Sequence, residues 1–320
     1  MKRKFFKIFR PPYGRKAVVF SAFDGMSCGQ IVLNAIFGEG NYIYLASEVD
    51  QSAIKITQHN FPNTVQLGDI RKISASKILK QYGHIDMLIG GSPCNNLSIS
   101  GNRKGLKNGE VDITSYKQYM RLKKEGHEFG EKDQSYLFWE FVRMKKQLKP
   151  TIFLLENVLM KGSNQRYEEI FTKEMGVHPV AINSMYFTGQ FRERLYWTNL
   201  ECGPIPKDIV PLSSLIQNAV AGYGQRTQRD KGLVGTTRTI PVANCLTTTD
   251  PCRKYIDSKG VIHKHTVEQC EALQGVPIGY TDVPGVSQTA RFKALGKGWT
   301  IPVIYHFCKK ISEEHLEYSK

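Results

Sequence analysis

The stretch AVVFSAFDGMSCG, residues 17 to 29, joins an apolar run, a glycine-bearing turn and the start of a helical pattern. The run from 17 to 23, rich in Val and Phe, predicts a buried strand. Gly25 and Gly29 permit close approach of a ligand to the backbone, and the N-terminus of the following helix favours negative charge. The stretch therefore predicts the first βα unit of an α/β fold and a nucleotide-type site, although many α/β proteins carry glycines after their first strand.

The alternation of apolar runs with helical periodicity continues to about residue 200. Further strands are predicted in YIYLASEVD, TVQLGDI, HIDMLIGG and TIFLLENV, and helices in GQIVLNAIF, QSAIKITQHN, SASKILKQYG and SYLFWEFVRMKKQL. Strands that alternate with helices favour a mostly parallel sheet covered on both faces. Ligands of such sheets bind beyond the carboxyl ends of the strands. The polar candidates fall there: Asp24, Glu48, Asp69, Cys94 and Glu156.

Beyond residue 200 the pattern changes, which predicts four parts in the chain. A basic N-terminal arm (1–16) precedes a catalytic, cofactor-binding domain (17–200). Residues 201–265, rich in Pro, Gly, Thr and Arg, predict a small irregular lobe, and 266–320 predict a segment of helices and a last element that returns to the main sheet. Within the catalytic domain, the polar residues from 101 to 134 predict a long mobile loop.

The composition is that of a globular protein with a basic surface. Apolar residues make up 41% and charged residues 23% of the 320 residues, and the formal net charge is +15. This charge favours a polyanionic partner, with nucleic acid first, and an ordinary solvated basic surface as the alternative. No apolar run approaches about 18 residues and the N-terminus lacks a signal-peptide pattern, so no membrane segment is expected. Seven scattered cysteines without metal spacing predict reduced thiols, no metal site and a cytoplasmic setting.

Individual residues suggest ligand binding and catalysis. Glu48 is placed to accept hydrogen bonds from a ribose, and Asp69 to bind an adenine amino group. Cys94 follows Pro93 in GGSPCNNLS, residues 90 to 98, and is either a buried small hydrophobe or a nucleophile at a strand end. Glu156 ends the strand FLLENV and is either a general acid, whose pKa partial burial would raise, or a helix cap.

Alternating polar residues in TGQFRERLYW, residues 188 to 197, point to one face of an extended segment. Gln190, Arg192 and Arg194 form this face. Two arginines on one face suit a phosphate or a polarised carbonyl oxygen, and a salt-bridged surface strand is the alternative.

Together these motifs resemble the DNA cytosine-5 methyltransferases of phage or bacterial type. FDGMSCG resembles their first cofactor motif, GGSPCNNLS the nucleophile loop, FLLENV the ENV motif, QFRER the QxRxR motif and ALGKGWTIPVI the last motif. The resemblance covers nearly the whole chain, and the region from EALQG to IYHF is similar to the de novo mammalian branch. It implies a Rossmann-like S-adenosylmethionine-dependent methyltransferase sheet with a small target-recognition lobe.

The resemblance also implies a covalent mechanism on a cytosine flipped out of double-stranded DNA. The Cys94 thiolate would add to carbon 6, Glu156 would hydrogen-bond ring nitrogen 3 and the amino group, and carbon 5 would take the methyl group. Arg194 would contact the base oxygen, Arg192 the cysteine loop or the DNA backbone, and Asn157 would hold the cysteine loop. A catalytically silent DNA-binding relative and a tRNA cytosine methyltransferase are the alternatives, and the oligomeric state and recognition sequence stay open.

The remaining residues implied by the resemblance form two sets. The cofactor set is Phe23, Asp24, Gly25, Ser27, Gly29, Glu48, Val49, Asp69, Ile70, Ser92, Lys297, Gly298 and Trp299. The DNA-contact set is Asn95, Ser98, Arg226, Arg229 and Arg238.

Lys297 departs from the family pattern, because most bacterial relatives have asparagine there. A lysine could pair with a protein or cofactor carboxylate or contact DNA. Alternatively it could accept the carboxylate of carboxy-S-adenosylmethionine, which would make the product 5-carboxymethylcytosine. A cation beside a sulfonium is unfavourable unless an anion lies between them.

Overall fold

The computed structural model describes residues 15–94, 96–97, 105–130, 133–228, 232–248 and 253–317. Most of the predicted N-terminal arm therefore lies outside the described residues. The strands, in chain order, are β1 (Ala17–Ala22), β2 (Tyr42–Ser47), β3 (Val65–Gln66), β4 (Met87–Gly91), β5 (Lys107–Asn108), β6 (Val111–Asp112), β7 (Ile152–Val158), β8 (Val180–Asn183), β9 (Glu193–Thr198), β10 (Ala219–Gln228), β11 (Gly232–Thr237), β12 (Lys254–Asp257) and β13 (Ile262–Lys264). The α-helices are α1 (Cys28–Phe37), α2 (Gln51–Asn60), α3 (Ala75–Tyr82), α4 (Tyr116–Lys124), α5 (Phe138–Leu148), α6 (Gln165–Met175), α7 (Val267–Gln274), α8 (Gln288–Lys297) and α9 (Ile301–Glu317).

The main sheet has seven strands in the order β3-β2-β1-β4-β7-β9-β8. The first five of these run parallel, and β9 is antiparallel to both of its neighbours. The prediction of an α/β fold with a mostly parallel sheet is confirmed. No helix in the described ranges has the length and apolar character needed to cross a bilayer.

Hydrophobic cores cover both faces of this sheet. In β4, Met87 and Ile89 belong to one core with residues of α1 and α9, whereas Leu88 belongs to the other with residues of α5 and α6. Successive side chains of a strand point to opposite faces, so an unbroken apolar run is what a sheet buried on both faces requires. Every residue of β7 is buried, including the two polar ones at its end, Glu156 and Asn157. The buried strand β7 thus places Glu156 and Asn157 at one edge of the sheet.

The region after residue 200 is more ordered than the sequence predicted. It contains a four-stranded antiparallel sheet in the order β11-β10-β12-β13. The prediction of an irregular lobe was wrong. The strands of this sheet pack closely at glycines, which a sequence pattern does not mark as strand. A Cβ on Gly222 would lie 2.5 Å from the backbone nitrogen of Asn244, and one on Gly235 would overlap the Tyr223 side chain. Such strands lack the apolar alternation that identifies a strand in sequence.

The polar region from 101 to 134 also differs from the predicted long loop. Its described part holds the hairpin of β5 and β6 and the helix α4. Buried charge pairing fixes α4, because Lys123 and Arg143 both contact the fully buried Glu140 carboxylate at 2.5 Å. Tyr119 of α4 also bonds Glu140. The last element returns to the main sheet as predicted, but as the helix α9 packed against α1.

Candidate active site

The loop that carries Cys94 begins where β4 ends. Pairing of β4 with β7 sets Gly91 opposite Glu156, so both strands end at the same edge of the sheet. Asn157 Nδ2 donates to the carbonyl oxygen of Ser92 at 3.1 Å and to its hydroxyl at 2.9 Å. The sheet register and this amide together bring the cysteine loop beside the ENV residues, as the sequence predicted.

Glu156 forms a buried ion pair with Arg194. The Nε atom of Arg194 lies 2.9 Å from Oε1 of Glu156, and both side chains are less than one fifth exposed. Burial opposes the charge of Arg194, but the neighbouring Cys245 and Glu156 outweigh it and raise its pKa above the ordinary value. Arg194 is therefore a fixed cation next to the carboxylate.

Cys94 is partly buried, and its thiol is near the same cation. Burial raises the pKa of Cys94, Arg194 opposes this rise and Glu156 adds to it. The neutral thiol is therefore the main form near neutral pH, and a proton must leave before the sulfur can act as a nucleophile.

A second thiol, Cys245, lies at the site, and no spacing in the sequence identifies it. Its Sγ is 3.5 Å from Nη1 of Arg192 and 3.8 Å from Nη2 of Arg194. Burial alone would raise the pKa of Cys245, but the two arginines outweigh it and lower that pKa.

Arg192 has a different position from the one that the resemblance implied. It is 4% exposed and donates to the carbonyl oxygens of Leu246 at 3.0 Å and Gly298 at 3.0 Å, and to Gly296. The neighbouring Gln190 accepts from the Leu246 amide at 2.9 Å. Arg192 therefore joins two backbone segments next to the site through its Nη1 and Nη2 atoms.

The turn after β1 has an unusual backbone. Phe23, Gly25 and Ser27 all adopt left-handed conformations, with φ of 56°, 59° and 58°. Two of the three are not glycine, and such conformations persist where the surroundings hold them. One such contact comes from Glu48, whose Oε2 accepts from the Gly25 amide at 2.8 Å. The Glu48 Oε1 atom accepts from the Val49 amide, so part of its capacity for a ribose is already used.

Asp24 lies in this turn and has a raised pKa. Tyr44 donates to its Oδ1 at 2.7 Å, and the hydroxyl of Ser27 donates to Oδ2. Burial raises the pKa of Asp24 from 3.8 to about 6, although these hydrogen bonds oppose the rise. A cation bound beside Asp24 would relieve this cost.

Open space and an exposed apolar side chain lie just beyond the ends of β1, β2 and β3. Gly25 and Gly68 have open space where a Cβ would point, with nothing within 4 Å. Val49 offers an apolar side chain that is 61% exposed. Asp69 is less free than predicted, since Arg71 binds both of its carboxylate oxygens at 2.6 to 3.0 Å. Partial burial opposes ionisation of Asp69, but Arg71 outweighs it and lowers its pKa.

The segment after α8 lies beside the end of β4. A Cβ on Gly91 would lie 2.8 Å from Nε1 of Trp299 and 3.0 Å from Oε2 of Glu156. Trp299 is therefore in the immediate surroundings of the Glu156 carboxylate. Lys297 lies further out, with its side chain 58% exposed and its Nζ 3.3 Å from Oδ2 of Asp50. Of the readings left open for Lys297, pairing with a protein carboxylate is the one this contact supports.

The other predicted residues occupy varied positions. Gly29 packs tightly against Ile89 and Tyr44, Gly298 against Met26 and Cys28, and Ile70 is buried. Asn95, Ser98 and Arg229 lie outside the described residues, as does the side chain of Arg226. Arg238 lies over the ring of Phe191 at 4.1 Å and donates to Asn244 at 2.8 Å, so protein contacts already engage it. In the part of the chain that the structure describes, no group of three or more His, Cys, Asp or Glu side chains could hold a metal ion.

The chain is similar to methyltransferases both in sequence and in fold. The orphan methyltransferase M.SPRI of Bacillus phage SPR is 29% identical over 191 residues, which are 57% of this chain and 37% of that relative. The orphan methyltransferase M.SPBetaI of Bacillus phage SPbeta is 28% identical over 200 residues, and the match covers 44% of it. The match thus spans less than half the length of these relatives.

Two solved structures share the fold over nearly the whole chain. A mutant form of DNMT2 from Spodoptera frugiperda superposes with a TM-score of 0.61 at 16% identity and covers 92% of this chain and 99% of its own. The methyltransferase EhMeth of Entamoeba histolytica gives a TM-score of 0.63 at 14% identity and covers 94% of this chain and 99% of its own. Residues 19–200 match the family model of C-5 cytosine-specific DNA methylases. The chain is a member of the C-5 cytosine-specific DNA methylase family.

Proposed function

We propose that the chain is an S-adenosylmethionine-dependent DNA cytosine-5 methyltransferase in which Cys94 is the nucleophile. The observation that carries this proposal is the placement of Cys94 at the sheet edge beside the buried pair of Glu156 and Arg194. A thiol, a carboxyl group and a fixed cation in one partly buried place are what addition to a cytosine ring requires.

Each of these groups has a definite task in the reaction. The Cys94 sulfur loses its proton and forms a bond to carbon 6, while the electron pair of the 5,6 double bond moves into the ring. Glu156 accepts a hydrogen bond from the exocyclic amino group and shares a proton with ring nitrogen 3, where negative charge builds during the addition, and so stabilises the enamine that results. Arg194 holds the Glu156 carboxylate and contacts the base oxygen. Carbon 5, made electron-rich by the addition, would then take the methyl group of the sulfonium, whose carbon–sulfur bond electrons would stay with the departing thioether. When a base removes the carbon 5 proton, the bond between carbon 6 and Cys94 breaks and Cys94 leaves as a thiolate.

The cofactor would occupy the open space beyond the ends of β1, β2 and β3. S-adenosylmethionine is the methyl donor of the family and supplies an electrophilic methyl group when bound. The exposed Val49 suits the face of an adenine ring, and Glu48 suits a ribose hydroxyl. Asp24 suits the cofactor's positive charge, because a cation beside this buried carboxyl would lower its raised pKa.

DNA is the substrate that the charge and the family favour. The net charge of +15 attracts phosphate, and the reacting base must leave the duplex to reach a partly buried thiol. We assign target recognition to the four-stranded sheet between residues 219 and 264. RNA offers the same base and the same attack, so the substrate class needs a direct test.

Trapping on a fluorinated base tests this proposal. The purified protein is incubated with S-adenosylmethionine and either duplex DNA or structured RNA that contains 5-fluorocytosine. Fluorine at carbon 5 cannot leave as a cation, so the enzyme stays bound through sulfur. The proposal expects an adduct with DNA whose peptide map places the link at Cys94, and its loss in Cys94→Ala but not in the matched Cys202→Ala variant. Absence of any adduct would overturn the proposal, and an adduct with RNA alone would replace DNA by RNA.

A further inference from the structure

The turn that follows Cys94 is fixed by a buried asparagine. Asn164 lies at the end of a short 3-10 helix, Gly162–Asn164, that runs into α6. Its Nδ2 donates to the carbonyl oxygen of Asn96 at 3.1 Å and to that of Leu97 at 3.0 Å. Both amide hydrogens of one side chain are thus used on two successive peptide groups.

Further polar contacts converge on the same turn. The Asn96 amide donates to the hydroxyl of Ser135 at 3.1 Å, and its side chain donates to Asp133 at 3.2 Å. The Gly105 amide donates to the Asn96 carbonyl oxygen at 3.0 Å, so the chain meets itself at this point. The Leu97 amide in turn donates to the carbonyl oxygen of Cys94 at 2.9 Å. The asparagine clamp is therefore connected to the nucleophile through one turn of backbone.

Two buried oxygen atoms of the clamp lower the stability of the fold, so stability alone does not explain why these asparagines are present. Asn96 is fully buried and Asn164 is 2% exposed, yet the Oδ1 atom of each finds no hydrogen-bond partner among the described residues. A buried acceptor without a partner is unfavourable. Both asparagines keep their donors engaged while their acceptors stay unmatched, which indicates that the position of the held backbone matters.

One segment of chain holds Cys94 on both sides. Asn157 binds Ser92 two residues before the cysteine, and Asn164 binds the turn after it. Glu156 precedes Asn157 directly. The residues that orient the nucleophile thus share a segment with the carboxyl group it works with.

We propose that Asn164 is a positioning residue that fixes the Cys94 thiol relative to Glu156. The inference rests on the proposed function in that it takes Cys94 as the nucleophile. Asn164 touches neither base nor cofactor in this account. It acts on the backbone, and a displaced thiol would meet carbon 6 at the wrong distance and angle.

Two variants of Asn164 and one matched control test this inference. Asn164→Ala removes the donors, and Asn164→Asp removes them without leaving a cavity. Asn199→Ala is the control, because Asn199 makes the same kind of clamp at the opposite end of β7. It accepts from the Phe153 amide at 2.9 Å and donates to the Thr151 carbonyl oxygen at 2.8 Å.

Three readouts separate positioning from stability. They are the urea midpoint, the rate of adduct formation with 5-fluorocytosine substrate, and the iodoacetamide alkylation rate of Cys94 relative to Cys202 in the free protein. Both Asn164 variants should slow adduct formation at least about tenfold, since a displacement of about 1 Å can cost about 100-fold. They should also change the Cys94 alkylation rate at least about threefold against Cys202, and S-adenosylmethionine binding should stay within about twofold.

The Asn199→Ala control separates a positioning role of Asn164 from a role in stability alone. Asn199→Ala should lower the urea midpoint but leave the adduct rate and the Cys94 alkylation rate near those of the wild type. The inference is overturned if the Asn164 variants match Asn199→Ala in both rates. If the wild type forms no adduct, the proposed function fails, and the alkylation rates still decide whether Asn164 positions Cys94 because they need no substrate.

Discussion

Replacing Asp24 with asparagine should stabilise the protein without cofactor and weaken cofactor binding. The Asp24 carboxyl lies in the strained turn after β1, where burial raises its pKa from 3.8 to about 6. At about 1.4 kcal/mol per pKa unit, this rise costs the folded state about 3 kcal/mol near neutral pH. Because Asp24 keeps part of its surface exposed, this figure is an upper bound. An asparagine can still accept from Tyr44 through its carbonyl oxygen, and its amide can donate to the Ser27 hydroxyl in a reversed bond, so both contacts can persist without the charge.

The pH dependence of this effect has a definite sign. The folded protein holds the Asp24 proton more tightly than the unfolded chain does, so stability falls as pH rises between the two pKa values. The cost is absent below 3.8 and complete above about 6. The advantage of Asp24→Asn over the wild type should therefore be about half as large at about pH 5 as at about pH 7.5.

Urea unfolding at these two pH values measures the effect, provided that the m-values agree. Asp69→Asn is the matched control, because Arg71 lowers the pKa of Asp69 and its neutralisation should destabilise. Calorimetric titration should show weaker S-adenosylmethionine binding to Asp24→Asn. The reasoning is refuted if Asp24→Asn destabilises at about pH 7.5, or if its advantage is the same at both pH values.

Three further substitutions follow from contacts at the site. Arg194→Ala leaves the buried Glu156 carboxylate without its partner, so urea unfolding should show a loss of about 3–5 kcal/mol, and no loss would contradict a buried pair. Lys297→Asn removes an exposed ion pair with Asp50, so the free energy of unfolding should change by less than about 1 kcal/mol. Methyl transfer should also persist in that variant when S-adenosylmethionine and carboxy-S-adenosylmethionine compete, and a switch of product would refute the pairing role. Gly91→Ala places a Cβ 3.0 Å from Glu156 Oε2, so adduct formation should slow, and an unchanged rate would mean that the carboxylate can move aside.

The sequence predicted that the ends of β4 and β7 lie at one edge of the sheet because its signals are local. A polar residue after an apolar run indicates where a strand ends, and the carboxyl ends of parallel strands lie at one edge of the sheet. Cys94 and Glu156 could therefore be brought together without coordinates. The structure pairs Gly91, three residues before Cys94, with Glu156 across β4 and β7.

What the sequence did not predict depends on contacts between distant segments. Arg192 bonds carbonyl oxygens that lie 54 and 106 positions further along the chain, and no periodicity reveals such partners. Cys245 comes to the arginines in the same way. The sequence predicts a loop where α4 lies, because Tyr119 is the only residue of that helix that is fully buried. The carboxylate that Tyr119 and Lys123 contact, Glu140, belongs to another helix.

Nucleoside mass spectrometry tests the central claim most directly. Duplex DNA of varied sequence and structured RNA are each treated with the protein and S-adenosylmethionine that carries a deuterated methyl group, and then digested to nucleosides. We expect labelled 5-methylcytosine in DNA treated with the wild type, and its absence when Cys94→Ala replaces the wild type. Unmodified cytosine in both nucleic acids, with folded protein that binds the cofactor, would contradict it.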